Sequence, residues 1–136
     1  MNREIKFRGK LVNSKEWAEG NLCIRVDGTY IITPDETILG KYGKVNKETV
    51  GQYTGLHDKN GKEIYEEDVV KITNKNSKVI PIKPLIAQIV WSEEYLAYIL
   101  ITTSVKDAFE NLGDYIDYDI EVIGNVFENP ELLGGK

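Results

Sequence analysis

The stretch GLHDKNGKEIYEEDVV, residues 55–70, contains the signals on which the fold prediction depends most. Asn60–Gly61 lies between two strand-like runs, YTGLH and KEIY, and an Asn-Gly pair in that position is a strong local signal for a β-hairpin. A calcium-binding loop beginning at Asp58 would need further oxygen ligands and a glycine at a fixed spacing, which this chain lacks. The stretch therefore predicts two antiparallel strands joined by a tight turn.

Toward the N-terminus, the chain reads as short strands separated by turns. Residues 5–12 alternate apolar with charged side chains, and Asp27–Gly28 is a second two-residue hairpin signal, for which a type I′ turn needs positive φ at both central positions. The first 33 residues therefore predict a β-meander. Residues 34–49 contain a proline and two glycines between polar side chains, which predicts a long loop.

Toward the C-terminus, the apolar runs 85–92 and 95–103 predict a strand pair. Residues 104–113 predict a short helix, since a serine stands at its start and a glycine at its end. The segment NPELLGG, which begins at Asn129, predicts one helical turn with Asn129 as its cap and the proline at its first position. The predicted class is all-β, with one or two short helices near the C-terminus.

The composition fits a single globular domain of a soluble protein. The 136 residues are 41% hydrophobic and 29% charged, and no run approaches the roughly 18 apolar residues of a membrane span. The N-terminus lacks the apolar stretch of a signal peptide. The one cysteine, Cys23, cannot form an internal disulfide and lies in an apolar run. These features predict a cytoplasmic protein that does not bind a membrane.

The residue types that carry catalysis are scarce. A general base needs a nucleophile or an orienting partner, and the single histidine, His57, has Asp58 only as a sequence neighbour, which points to the opposite face of a strand. One histidine and one cysteine cannot build a zinc site. The acids Glu66, Glu67 and Asp68 could hold a hard cation, but a solvated turn before a strand is the simpler interpretation. We predict no enzyme activity, no catalytic residue, no metal and no cofactor.

Charge is distributed unevenly along the chain. The first 49 residues carry nine bases and seven acids, whereas the remainder carries eight bases and fifteen acids. On the predicted strand DYIDYDIE, the side chains of Asp117, Asp119 and Glu121 alternate with apolar residues and stand about 7 Å apart. Such a row beside Tyr115 could dock a basic partner. These four residues are the candidate partner-binding set; the competing interpretation is an acidic edge strand that avoids self-pairing.

The N-terminal strand offers a rival site of opposite charge. Lys6, Arg8 and Lys10 line one face of it, with Arg3 just before, and such a patch could contact a nucleic-acid backbone. Aromatic residues are not interleaved with these bases, as they are in single-strand binders. The net charge of −5 also disfavours nucleic-acid binding. A nucleic-acid-associated protein is therefore the alternative and not the first choice.

Three blocks of the sequence resemble the YopX family of phage and prophage proteins: IKFRGK, TVGQYTGLHDKNGKEIYEEDVVKI and IEVIGNVFENPELL. They come in the family's order and at about its spacing, and they extend over nearly the whole chain. One departure stands out, because the family pattern often reads Glu-Gly-Asp where this chain has Glu66-Glu67-Asp68. If that glycine serves a bend with positive φ, Glu67 has to adopt it.

The resemblance implies a small protein made by a phage or prophage, forming one YopX-like domain over residues 1–136. It implies an N-terminal meander and loop over residues 1–49 and a half similar to a small SH3-like β-barrel over residues 50–136. It implies no established activity. We expect a non-enzymatic protein-binding module that acts on an unidentified host or phage partner through the acidic face. Exposed strand edges and the 34–49 connection further predict a homo-oligomer.

Overall fold

The computed structural model describes residues 3–34, 41–73, 84–102, 109–115 and 118–134. Within these ranges every element is a β-strand or a short 3-10 helix, so the all-β prediction is confirmed. The chain divides into two compact units, Met1–Gly55 and Leu56–Lys136. The sheets of the described residues are not closed, and the SH3-like barrel is not confirmed.

The first unit is an antiparallel sheet with the strand order β4-β3-β2-β1-β5. Its elements are β1 (Phe7–Lys10), β2 (Trp17–Arg25), β3 (Gly28–Thr33), β4 (Lys41–Val45), a 3-10 helix (Lys47–Thr49) and β5 (Gly51–His57), whose last residues belong to the second unit. The pairing of β1 with β2 and of β2 with β3 confirms the predicted meander.

The prediction of a long loop over residues 34–49 is wrong for its second half, which forms β4 and the 3-10 helix. Gly43, which reads as a strand breaker, pairs with Ile31 of β3. A Cβ at this position would lie 2.5 Å from Cδ2 of Leu11, so the missing side chain is what lets Leu11 pack against the strand. Residues 35–40 lie outside the described ranges.

The hairpin between β2 and β3 forms as predicted, but its turn is shifted by one residue. Arg25 pairs with Gly28, so Val26 and Asp27 are the two loop residues. Neither has positive φ, whereas Gly28 has a φ of +150°. The Asp-Gly signal therefore located the hairpin correctly and its type I′ geometry wrongly.

The second unit contains a sheet with the strand order β10-β9-β8-β7-β11, and its short β6 pairs with the end of β5. Its elements are β6 (Glu63–Tyr65), β7 (Asp68–Thr73), β8 (Leu85–Ser92), β9 (Ala97–Thr102), β10 (Phe109–Asn111), β11 (Asp119–Asn125) and two 3-10 helices (Leu112–Tyr115, Pro130–Leu133). One face builds the core of this unit, whose buried members are Ile64, Val70, Ile72, Ala87, Ile89, Leu100, Leu112 and Ile120. No helix of the described ranges is long and apolar enough to cross a membrane.

The prediction of a helix over residues 104–113 is wrong for residues 109–113, the part that the structure describes. Phe109 pairs with Ile101, so this part of the chain is strand β10, and a 3-10 helix follows at Leu112–Tyr115. Leu112 is 2% exposed in the core, which anchors the segment against β9. Tertiary packing overrides the local helix preference here. Residues 104–108 lie outside the described ranges.

The predicted helical turn near the C-terminus is confirmed as the 3-10 helix Pro130–Leu133, which ends at Gly134 with a φ of +74°. The side chain of Asn129 does not cap it, contrary to the prediction. The Oδ1 of Asn129 instead accepts a hydrogen bond from the backbone N–H of Asn125, at 3.3 Å. Asn129 therefore stabilises the turn that leads into the helix.

The bend between β6 and β7 shows what Glu67 does in the place of the family's glycine. Glu67 has a φ of +73°, in the left-handed region that side chains disfavour. Its N–H donates to the carbonyl of Ile89 at 2.7 Å, and its carbonyl accepts from the N–H of Val126 at 3.1 Å. Its carboxylate accepts from the amide of Gln88 at 2.7 Å. Both backbone groups and the side chain thus hold Glu67 in a strained conformation.

We expect Glu67→Gly and Glu67→Val to differ sharply in stability. Both remove the contact with Gln88, but glycine relieves the left-handed strain and valine increases it. The glycine variant should unfold within about 1 kcal/mol of the wild type, and the valine variant about 2 kcal/mol below the glycine variant. Urea denaturation measures both, and equal stabilities for the two variants would contradict the assigned bend.

Candidate functional site

Asp58 holds the opening hairpin together and is 7% exposed. Its Oδ1 accepts hydrogen bonds from the backbone N–H groups of Asn60 at 2.8 Å and Lys62 at 2.9 Å, and its Oδ2 accepts one from Val122 on β11 at 3.0 Å. Gly61, with a φ of +83°, closes the turn by donating to the carbonyl of Asp58 at 3.0 Å. The carboxylate of Asp58 therefore links the hairpin to β11 and has a structural role.

Two opposing effects act on the pKa of Asp58. Burial raises the pKa, while the hydrogen bonds from the N–H groups of Val122, Lys62 and Asn60, together with the charge of Lys62, lower it. The lowering prevails, so the pKa lies below its ordinary value. Asp58 is therefore an anion at neutral pH, as its role of accepting three hydrogen bonds requires.

The acids at the β6–β7 bend do not form the solvated turn that the sequence predicts. Asp68 is 1% exposed, and its Oδ2 accepts a hydrogen bond from the N–H of Tyr65 at 2.8 Å. Glu67 is used in the bend itself. Within the described ranges, no three side chains of His, Cys, Asp or Glu lie close enough together to hold a metal ion.

The predicted acidic face is only partly described, because Asp117 lies outside the described ranges. Asp119 and Glu121 are both on β11. The Glu121 carboxylate, however, lies 3.5 Å from the ammonium groups of both Lys59 and Lys71 and forms an ion pair with each of them. The described carboxylates therefore do not form the unpaired row that the alternation predicts.

The tyrosine of the candidate set serves packing. Tyr115 meets Tyr118 edge to face, with ring centroids 4.8 Å apart, and both rings pack against the core of the second unit. Beside them, Asp119 and His57 line a small cavity of about 180 Å³. His57 is thus near one carboxylate of the candidate set, a proximity that the sequence does not reveal.

The basic face of β1 is also not the exposed patch that alternation predicts. Arg8 is 8% exposed, and its guanidinium lies 4.9 Å from the ring centroid of Trp17. The ammonium of Lys6 lies 5.5 Å from the ring centroid of Tyr53 and 3.6 Å from Glu4. Cation–π contacts therefore occupy both side chains, and neither is displayed as a docking charge.

A groove of about 650 Å³ lies in the first unit, and Lys10 is on its wall. Its walls are the end of β1 (Lys10–Val12), Lys15, the turn between β2 and β3 (Asp27–Thr29) and the end of β4 with the residues after it (Lys44–Lys47). Leu11 forms an isolated antiparallel bridge with Val45, and Asn46 donates a backbone hydrogen bond to the carbonyl of Lys10 at 2.9 Å. The walls are therefore held by main-chain bonds.

The groove is strongly basic. Among the described residues of its lining, four lysines, Lys10, Lys15, Lys44 and Lys47, face one acid, Asp27, which leaves an excess of three positive side chains. Lys15, Lys44 and Lys47 are exposed, and none of them forms an ion pair within the part of the chain that the structure describes.

Two further features shape the groove. Val12 is 49% exposed and supplies an apolar contact on its wall. Lys15, which carries one of the positive charges of the groove, has a φ of +62°, and this left-handed backbone is strained for a lysine. Sequence reasoning missed this site because its lysines are spread from β1 to the 3-10 helix; the positive balance of the first 49 residues was the one signal that could have found it.

Two of three comparisons with known proteins found a match. A family model described as YopX protein matches residues 6–134. The crystal structure of protein EF1440 from Enterococcus faecalis is similar, with a TM-score of 0.58 and 26% sequence identity over 97% of this chain and 99% of that chain. No curated protein matches the chain at a significant level. Neither the family description nor the name of the similar structure states an activity or a ligand.

Proposed function

The chain belongs to the YopX family, and we propose that it is a non-enzymatic protein-binding module that binds an acidic segment of a host or phage protein in the lysine groove. We place it, as a phage- or prophage-encoded protein, in the cytoplasm of the bacterial host. The observation that carries the proposal is the cluster of Lys15, Lys44 and Lys47 on walls held by main-chain bonds.

The charges of the groove favour an anionic ligand. Like charges held near one another repel, and none of these three lysines has an ion-pair partner among the described residues. Carboxylates that enter the groove would relieve this repulsion. Exposed charges act mainly on the rate of association and on specificity, so we expect binding to weaken as salt is added.

The lining favours a protein segment over a nucleic acid. Binders of single-stranded nucleic acid stack the bases on aromatic rings, and none of the described residues that line the groove is aromatic or an arginine. A volume of about 650 Å³ is in the range of sites that enclose a small ligand or a short chain segment. Leu11 and Val12 offer apolar contact to an aliphatic side chain of such a segment.

We expect Lys15→Glu with Lys47→Glu to weaken binding of a fluorescent peptide of Glu, Asp and Leu by about tenfold or more, since opposite charges become like charges. The matched control is Arg3→Glu with Lys62→Glu, which changes the net charge equally at exposed sites outside the groove. Urea denaturation checks that this control is folded, because the charge of Lys62 acts on Asp58. Fluorescence anisotropy at low and high salt measures the affinity. Equal weakening in both double variants would show that the peptide does not bind in the groove. A DNA duplex that displaces the peptide would favour the nucleic-acid alternative.

The acid-bearing strand β11 is our second proposed contact, for a basic partner. The observation that motivates it is that Asp119 and Glu121 lie two residues apart on the same strand. We expect Asp119→Asn with Glu121→Gln to change the free energy of unfolding by less than about 1 kcal/mol, because partly exposed ion pairs such as those of Glu121 are weak. The same change should slow association with an oligolysine peptide in stopped-flow mixing at low salt. Unchanged rates would leave β11 as a solvated surface.

A further inference from the structure

The connection between β8 and β9 displays acidic and apolar side chains together. Glu93 and Glu94 are exposed, and neither forms an ion pair among the described residues. Tyr95 is 51% exposed and Leu96 is 75% exposed. The N–H of Tyr95 donates to the Oγ of Ser92 at 3.2 Å, which shapes the start of the turn. We call residues 93–96 the hairpin tip.

Leu96 is the last residue of the hairpin tip before β9 and has a left-handed backbone. Leu96 has a φ of +51°, which a leucine disfavours. The side chain of Leu96 lies mostly in solvent. At the base of the turn, Trp91 is 40% exposed beside Tyr98, with ring centroids 5.1 Å apart, which extends the apolar surface.

The tip and the groove are complementary. The tip offers two carboxylates followed by an aliphatic side chain, and the groove offers an excess of three ammonium groups beside the half-exposed Val12. Glu93 and Glu94 lack ion pairs in the described part of the chain, as do Lys15, Lys44 and Lys47 in the groove. The acidic segment that the proposed function requires is thus present on this chain.

We propose that the hairpin tip of a second copy occupies the lysine groove, so that copies of this chain assemble head to tail. The proposal rests on the proposed function and names the partner of its groove. Each copy carries both surfaces, so the contact is heterologous and builds either a closed ring or an open filament, depending on the rotation between neighbours. A host or phage protein with a similar acidic segment would compete with this assembly.

The test uses two double variants of the full chain, one with a reversed tip (Glu93→Lys with Glu94→Lys) and one with a reversed groove (Lys44→Glu with Lys47→Glu). We expect the mass of the wild type in sedimentation velocity to rise with concentration and to fall at high salt. Each variant alone should associate at least about tenfold more weakly. An equimolar mixture of the two should associate again, because lysine tips then meet glutamate grooves and glutamate tips meet lysine grooves.

Several outcomes overturn the proposal. The proposal is wrong if the wild type remains monomeric from micromolar to millimolar concentrations. It is also wrong if both double variants still associate as the wild type does, since the copies would then use another interface, such as a strand edge. An equimolar mixture of the two double variants that stays monomeric also contradicts the proposal. Urea denaturation of each variant shows that it is folded before it is scored.

A separate measurement distinguishes failure of this inference from failure of the proposed function. If the wild type binds the Glu-Asp-Leu peptide and the reversed groove does not, while the wild type remains monomeric, then the groove is a site for an acidic segment and self-assembly is wrong. If neither peptide binding nor assembly depends on Lys44 and Lys47, both proposals fall. Leu96→Gly should weaken assembly without lowering stability, because glycine accepts the left-handed backbone.

Discussion

Gly20→Ala is expected to lower the free energy of unfolding by about 3 to 4 kcal/mol, at the upper end of the effects of single substitutions. Gly20 lies in β2, opposite Phe7 of β1, and next to Asn21, which pairs with Ile32 of β3. A Cβ at Gly20 would collide with the carbonyl oxygen of Ile32 and lie 2.8 Å from its carbonyl carbon. Both atoms are backbone, so relief requires the two strands to separate.

The conformation of Gly20 adds to this cost, since its φ of +155° is one that side chains rarely adopt. Gly55→Ala is the matched control, because Gly55 has a φ of +91° and a Cβ there would meet no atom of the described residues within 4 Å, apart from its two chain neighbours. It should cost about 1 kcal/mol, from backbone strain alone. Urea denaturation measures the free energy of unfolding of both variants. Equal losses of this free energy would show that the contact with Ile32 adds nothing to the cost of the Gly20 substitution.

Asp58→Ala is expected to cost about 2 to 4 kcal/mol, because it leaves the N–H groups of Asn60, Lys62 and Val122 without their carboxylate acceptor. Two of these bonds form the turn, and the third joins residues far apart in the chain. The loss should therefore loosen the hairpin and the middle of β11 together. Hydrogen exchange at the N–H of Val122 measures the local effect, and unchanged protection there would contradict the assigned bond.

Acid should weaken the same contact. The pKa of Asp58 is lower in the folded chain than its ordinary value, so its carboxylate stabilises the fold fully above the unfolded pKa of about 4 and loses this contribution as the pH falls through the folded pKa. Asp58→Asn has no charge to lose. The difference in unfolding free energy between the wild type and Asp58→Asn should therefore shrink on acidification below about pH 4. A difference between the two proteins that stays constant with pH would contradict the lowered pKa of Asp58.

The sequence by itself determined the features that depend on neighbouring residues. Period-two alternation and turn residues predict the all-β class, and the Asn60–Gly61 pair predicts the hairpin that the structure contains. Pro130 and Gly134 likewise define the last 3-10 helix. The glycine of the family pattern pointed to the positive φ that Glu67 adopts. These features follow from the conformations that a few consecutive residues allow.

Only the tertiary structure decided the features that join distant residues. Pairing with Ile31 makes Gly43 part of a strand. Leu112 packs in the core and so anchors the end of the segment that the sequence predicts as a helix. The ring of Trp17 covers Arg8, which alternation places on an exposed face. The basic groove exists because strand pairing brings the ends of β1 and β4 together, and no local pattern records which charges a sheet places side by side.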